Sequence, residues 1–184
     1  MNKLIIFSGI SLIISCSFFG NKGSINDTRN SNVTIVDTSK RDMTMKINFN
    51  YFNTQVEVLF TETKNEVSAI QKKNLEGFIS KQDSLVPEIM KKIFEFYKDY
   101  KSGWLMGGKM SDKELEKYLP TPSTAEGLKP FIKPAIIHIQ SSKDCQIGTL
   151  GIEFDCEWDI KNGLGVLIND WKVVEASVDE ISCF

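Results

Sequence analysis

The stretch GIEFDCEWDIKNGLGVLIND, residues 151–170, decides the fold. Apolar side chains occupy every second position of its first part: Ile152, Phe154, Cys156, Trp158 and Ile160. Successive side chains of a β-strand point to opposite faces, so this alternation predicts a strand with one buried face. The residues that alternate with them are acidic and are expected on the other face: Glu153, Asp155, Glu157 and Asp159.

These four carboxylates raise the question of a metal or catalytic cluster. Same-face neighbours on a strand stand about 6.5–7 Å apart, twice the rise per residue. Mg²⁺ and Ca²⁺ bind oxygen at about 2.0–2.6 Å, so two such carboxylates cannot share an ion without further ligands. No metal site and no cofactor is therefore predicted. The pattern favours a solvated sheet face, and the alternative is an acidic surface for a basic protein partner.

Strand patterns continue on both sides of this stretch. PAIIHIQ at 134–140 precedes the acidic segment QIGTLGIEFDCEWDI at 146–160, and GLGVLI at 163–168 and WKVVEAS at 171–177 follow it. The dipeptides Asn162-Gly163 and Asn169-Asp170 are expected to form the turns. These four segments predict an antiparallel meander. Further upstream, MTMKINFNYFNTQVEVLF at 43–60 alternates on both sides of a polar turn, which predicts a hairpin.

Helical periodicity replaces the alternation after the hairpin. An amphipathic stripe predicts a first helix over 66–81. Ser84 is expected to cap a second helix, with Pro87 in its first turn and its end at Gly103. The stripe consists of Val67, Ile70, Leu75, Phe78 and Ile79.

The following section, 101–133, is rich in Gly and Pro and is expected to form a surface excursion that could contact a partner. Its two capping patterns, Ser111-x-x-Glu114 and Ser123-x-x-Glu126, predict a short helix and one more helical turn. The whole order predicts an α+β fold. An antiparallel sheet, built from the N-terminal hairpin and the C-terminal four-strand meander, would carry two to three helices on one face.

The N-terminus resembles an export signal. Lys3 precedes an apolar run over 4–14, which is too short to span a bilayer and has the length of a secretory signal. Ile13-Ile14-Ser15-Cys16 resembles a bacterial lipobox, which implies cleavage after residue 15 and lipidation of Cys16. No Asp stands second after Cys16, which in a Gram-negative cell favours the outer membrane over the inner one. The alternative is an uncleaved anchor ending near Phe19.

Composition divides the remaining chain. Residues 16–42 contain few apolar side chains and are expected to be a flexible tether, with a short strand at 33–36 as the alternative. Residues 43–184 form the single predicted domain. Without Lys3, the mature chain has 21 basic and 24 acidic residues, a formal charge of −3, and its last 41 residues carry nine acids against two lysines. Such a chain lacks the basic face of a nucleic-acid-binding protein.

The motif FDCEWDIKNGLGV at 154–166, followed by VVEAS, is similar to the C-terminal signature of an uncharacterised bacterial domain family. The resemblance extends over about 43–180 and implies a fold but no reaction. The family has Glu-His before its Gly-Leu-Gly-Val, whereas this chain has Lys161 and Asn162. The motif residues are expected to be structural: Trp158, Asp159, Gly163 and Gly165.

Catalytic motifs are absent from the sequence. His138 is the sole histidine. It is expected to be half-exposed, on the strand face opposite to the one that carries Ile137 and Ile139. With Cys16 lipidated, Cys145, Cys156 and Cys183 are an odd number that cannot all pair within the chain; Cys156 is expected to be a buried small hydrophobe.

The sequence therefore predicts a lipid-anchored, non-catalytic binding or accessory module. It would contact the membrane through Cys16 and bind a protein partner, but no nucleic acid. Two alternatives stay open. One is an immunity-type protein that neutralises a toxin. The other is an envelope hydrolase that uses His138 with Asp155, Glu157 or Asp159.

Overall fold

The computed structural model describes residues 34–37, 43–61, 63, 66–107, 111–141 and 145–178, with the backbone alone for the first of these ranges. Within these ranges, seven strands, two α-helices and two short 3₁₀ helices follow one another. They are β1 Thr34–Asp37, β2 Met43–Phe49, a 3₁₀ helix Asn50–Phe52, β3 Thr54–Phe60, α1 Ala69–Met106, α2 Asp112–Tyr118, a 3₁₀ helix Ala125–Phe131, β4 Ile132–Ile139, β5 Leu150–Cys156, β6 Leu164–Asn169 and β7 Lys172–Ser177.

All seven strands form one sheet in the order of the chain. The predicted α+β fold is confirmed, with the hairpin β2–β3 and the meander β4–β7 antiparallel. The two units meet at β3 and β4, which are parallel, with Glu57 opposite Ile136 and Phe60 opposite Ile139. Parallel neighbours require a crossover connection, and α1, α2 and the second 3₁₀ helix provide it.

β1 pairs antiparallel with β2 at the edge of the sheet. Of the two interpretations of 16–42, the strand is therefore found, at Thr34–Asp37. The rest of that segment, the signal at 1–15 and Cys16 lie outside the described residues. No helix in the described part of the chain is long and apolar enough to cross a membrane.

A single helix, α1, runs for 38 residues where the sequence predicted two. Pro87 lies inside it on the exposed side, and Gly103 also lies within it, so both predicted boundaries are wrong. A proline in a helix costs about 3 kcal/mol. Buried side chains on both sides of Pro87, among them Leu85 and Ile89, offset that cost by packing in the core.

The sheet curves around α1. Near one edge, the Gln82 side chain accepts a hydrogen bond of 2.9 Å from the Asn50 N–H, just after β2. Towards the other edge, the Trp171 ring from the β6–β7 turn lies against Gly77. The core lies between the helix and the concave face of the sheet. Its largest fully buried members include Tyr97, Phe49, Phe78 and Phe154.

The face of α1 nearest the sheet carries three buried amides at helical spacing, Gln71, Asn74 and Gln82. The predicted stripe is rotated from this face, since Ile70, Leu75 and Ile79 are only half-buried. Gln71 Nε2 donates at 2.9 Å to the carbonyl of Thr61, just after β3, and at 3.0 Å to that of Ile139, the last residue of β4. Buried carbonyls need such partners, so the amides fasten the helix to strand ends.

Capping explains where the helices begin. Ser68 and Gln71 form a capping box at α1, and the predicted box of Ser111 and Glu114 is present at α2. The second predicted box is wrong. Thr124, not Ser123, precedes a 3₁₀ helix there, and no side chain caps it.

Candidate functional site

The acidic stretch after residue 152 is only in part a strand. β5 ends at Cys156, and the Glu157 N–H donates to the Phe131 carbonyl at 3.0 Å as the chain leaves the sheet. Ile160, predicted to be buried, is 89% exposed. The prediction of four carboxylates on one strand face is therefore wrong. Glu153 and Asp155 lie on β5, whereas Glu157 and Asp159 lie in the turn.

Asp159 and Gly163 shape that turn. The Asp159 carboxylate accepts hydrogen bonds from the Asn162 backbone N–H at 3.1 Å and from its side-chain amide at 3.0 Å. Gly163 has φ +67°, and a Cβ there would lie 3.0 Å from the Phe154 carbonyl oxygen. A glycine at this position avoids both the strain and the contact. Gly165 lies on β6, directly opposite Glu153.

Trp158 joins the turn to the end of α1. Its ring meets Tyr97 edge-on with centroids 4.7 Å apart, and the Tyr100 hydroxyl donates to its carbonyl at 3.5 Å. Tyr97 donates to the Pro120 carbonyl at 2.5 Å, and burial raises its pKa to about 12. These contacts place the turn, the end of α1 and the 101–133 section side by side.

His138 is 8% exposed, so the expectation of a half-exposed residue is wrong. Its Nε2 lies 2.8 Å from Glu153 Oε1. No partner in the described residues forms a well-directed hydrogen bond with that nitrogen. Across the sheet its neighbours are Leu59 on β3 and Gly151 on β5, neither of which can act as a nucleophile. Glu153, rather than Asp155, Glu157 or Asp159, is the carboxylate that reaches the histidine.

Asp155 and Glu157 are the exposed part of the acidic stretch. Neither forms an ion pair within the described residues, although Asp155 lies opposite Lys133 on β4. Their charges therefore face solvent. Of the four predicted carboxylates, Asp155 and Glu157 are thus exposed, whereas Asp159 shapes its own turn and Glu153 contacts His138.

The two described cysteines are buried and free, and Cys156 is the buried small residue that was predicted. Burial raises the pKa of both thiols, that of Cys156 to about 11. Both are therefore poor nucleophiles near neutral pH. Within the described ranges, no group of three or more His, Cys, Asp or Glu side chains could hold a metal ion.

The 101–133 section contains an ion-pair cluster that the sequence did not predict. Lys101 Nζ donates to Glu116 Oε2 and to the Leu119 carbonyl, both at 2.6 Å, and also to the Thr121 hydroxyl. The Glu116 carboxylate further accepts from the Thr121 N–H and hydroxyl, each at 2.6 Å. The hydrogen bond from Lys101, followed by those from Thr121, lowers the pKa of Glu116 to about 2.

Replacing Lys101 with methionine should bring the pKa of Glu116 back towards its ordinary value of 4.5, as NMR titration of the side chain would show. A depressed pKa gives stability that is present above the ordinary pKa and is lost as pH falls towards the folded value. At neutral pH the unfolding midpoint in urea should therefore be higher for wild type than for Lys101→Met. This difference should shrink as pH falls from 4.5 towards about 2. Lys98→Met, an exposed lysine of the same helix, is the control. A pH-independent difference would contradict this account.

A family model described as "Domain of unknown function (DUF6985)" matches residues 32–183. No curated protein and no solved structure matches the chain.

Proposed function

The chain belongs to the DUF6985 family, a domain of unknown function. From its residues we propose that it is a lipid-anchored, non-catalytic module that binds a basic protein partner. Family membership supplies no reaction, so the proposal is argued from residues. The export signal and the lipobox-like Ile13–Cys16 support an exported protein held to the membrane by lipid on Cys16, in the outer membrane if the cell is Gram-negative.

One observation carries the binding part of the proposal. Asp155 and Glu157 stand at the end of β5 with their carboxylates exposed and without an ion pair in the described residues. The turn that follows is fixed by Asp159 and by the Trp158–Tyr97 contact, so the two charges are presented from a rigid base. Preorganised surface charge mainly speeds and orients the association of a partner of opposite charge.

The residues around His138 give little support to the alternative that the protein is a hydrolase. A hydrolase needs a nucleophile or an activated water beside its acid–base pair. His138 and Glu153 form the pair, but Leu59 and Gly151 flank the histidine across the sheet. Burial raises the pKa values of the described thiols, so neither is a ready nucleophile near neutral pH.

Charge reversal at Asp155→Lys and Glu157→Lys tests the proposal. The full chain in detergent serves as bait against the organism's own envelope and secreted fractions. At low salt we expect the double variant to capture at least about tenfold less of a basic partner than wild type, which corresponds to about 1.4 kcal/mol. Wild-type capture should also fall when salt is raised to about 0.5 M, because screening shortens the reach of exposed charges.

The matched control is Glu76→Lys with Glu88→Lys. These two carboxylates are exposed on α1, away from β5, and their reversal changes the net charge by the same amount. Capture by this control should equal that of wild type. Equal loss in both double variants would show a net-charge effect, and equal capture by all three proteins would refute the acidic contact surface.

A further inference from the structure

The end of α1 and the turn after β5 expose four large apolar side chains, Trp104, Leu105, Met106 and Ile160, here called the apolar tip. They are 38%, 41%, 88% and 89% exposed. The two segments lie together because the Tyr100 hydroxyl donates to the Trp158 carbonyl, and the Tyr100 ring lies 6.5 Å from the Trp104 ring. Apolar side chains clustered on a surface generally mark a binding site.

The tip lies at a defined end of the sheet, here called the tip end, where β2 ends at Phe49 and β5 ends at Cys156. β3 and β4 begin at this end, and the Phe52 and Phe154 rings meet there with centroids 5.7 Å apart. The turn 157–163 leaves β5 at the same end.

The direction of β1 shows from which side the chain enters the domain. Thr34 lies opposite Lys46 and Asp37 opposite Thr44, so β1 runs away from the tip end. Thr34, the first residue of β1, therefore lies at the end of β1 nearer the tip end. Between Cys16 and Thr34 there are 17 residues, and such a length can span at most about 60 Å.

We infer that the apolar tip rests on the lipid bilayer to which Cys16 is attached. The inference rests on the proposed lipid anchor, which would bring the tip end, rather than the β6–β7 turn, towards the membrane surface. Trp side chains prefer the interface between headgroups and acyl chains, and neighbouring aliphatic side chains add buried apolar area. Charge supplies no attraction here, because Lys98 lies next to Asp99, Lys161 lies near Asp159, and the exposed Asp155 and Glu157 stand at the same end of the sheet. Apolar burial would therefore provide the attraction, and it should persist at high salt.

Tryptophan quenching by brominated lipid tests the inference. The full lipidated chain is reconstituted into vesicles of phosphatidylethanolamine and phosphatidylglycerol, with and without bromine on the acyl chains. We expect a bromine-dependent loss of emission that Trp104→Phe abolishes and that high salt leaves unchanged. Trp171→Phe is the matched control and should retain the loss, because Trp171 lies in the turn at the opposite end of the sheet. Leu105→Glu with Met106→Glu should reduce the loss without unfolding the domain, since both side chains are exposed.

Sedimentation with the vesicles separates the two proposals. A chain that sediments and shows Trp104-dependent quenching supports the inference. A chain that sediments without such quenching is anchored, and the tip inference is then overturned alone. A chain that stays in the supernatant overturns the lipid anchor and the tip inference together. A dimer in detergent that the Leu105 and Met106 variants dissociate would identify the tip as a contact between copies of the chain, which also overturns the inference.

Discussion

Replacing Asn74 with alanine should lower the free energy of unfolding by about 3 kcal/mol, because three backbone polar groups in the turn before β5 would lose their partner. Asn74 is fully buried on α1 and holds the turn before β5. Its Nδ2 donates to the carbonyls of Gln146 and Thr149, each at 3.1 Å, and its Oδ1 accepts from the Gly148 N–H at 2.7 Å. Urea unfolding followed by tryptophan fluorescence would measure the change.

The loss should spread beyond the turn itself. The Trp171 N–H donates to the Gly148 carbonyl at 3.2 Å, so the turn held by Asn74 supports the β6–β7 turn in its place. In Asn74→Ala, faster hydrogen exchange is expected at the backbone N–H groups of Gly148 and Trp171. Glu76→Ala, an exposed neighbour on the same helix, should change stability by less than about 0.5 kcal/mol. A change below about 1 kcal/mol for Asn74→Ala would mean that water replaces the amide, and it would contradict the stabilising role of the Asn74 hydrogen bonds.

The strands could be predicted from the sequence because their signal is local. Alternation over 43–60 and 151–156 reports which face is buried, and β2, β3 and β5 lie where it indicates. Alternation alone did not show where β5 ends. Trp158 continues the apolar pattern, but its ring packs against Tyr97 on α1 rather than within the strand face. Only the contact between Trp158 and Tyr97 shows that this tryptophan packs on α1 and does not extend the buried face of β5.

Helix α1 could not be predicted correctly from local sequence signals. Pro87 is a strong local signal for a helix boundary. The destabilisation that a proline causes inside a helix is nevertheless smaller than the stabilisation gained by burying the residues on both sides of it. The amides Gln71, Asn74 and Gln82 resembled solvent-exposed side chains in the sequence, because their partners are carbonyls and amides from distant strands and turns. The parallel pair β3–β4 was missed for the same reason, since it depends on the path of the crossover.

The candidate site was the least predictable part. Sequence spacing placed Asp155 and Glu157 on one strand face, and the structure keeps both exposed but puts Glu157 in the turn. The contact between His138 and Glu153 depends on a diagonal across β4 and β5, which no motif encodes. The apolar tip had a visible signal in Trp104-Leu105-Met106 at the end of a helical pattern, but exposure could be assigned only once the helix had a direction and neighbours.

Replacing Gly77 with alanine should destabilise the protein by about 2 kcal/mol, although alanine is the better helix former by about 1 kcal/mol. A Cβ at this position would lie 2.2 Å from both Cη2 and Cζ2 of Trp171, far inside contact distance. The indole is not free to move as a whole. Trp171 has φ +57°, next to Asp170 at +49°, and its backbone N–H donates to the Gly148 carbonyl. The ring must therefore leave its packed position against α1, and urea unfolding would measure the loss.

The sign of the Gly77 effect should reverse when the ring is absent. In a Trp171→Ala background, Gly77→Ala removes no contact and retains only its helix propensity, so it should stabilise by about 1 kcal/mol. The pair then has a coupling energy of about 3 kcal/mol, which a double-mutant cycle measures directly. Gly103→Ala is the matched control, because a Cβ there meets nothing within 4 Å and alanine should stabilise α1 in both backgrounds. If Gly77→Ala stabilised the wild-type chain as well, the indole would have a second position of nearly equal free energy, and the β6–β7 turn would not be fastened to the helix by this contact.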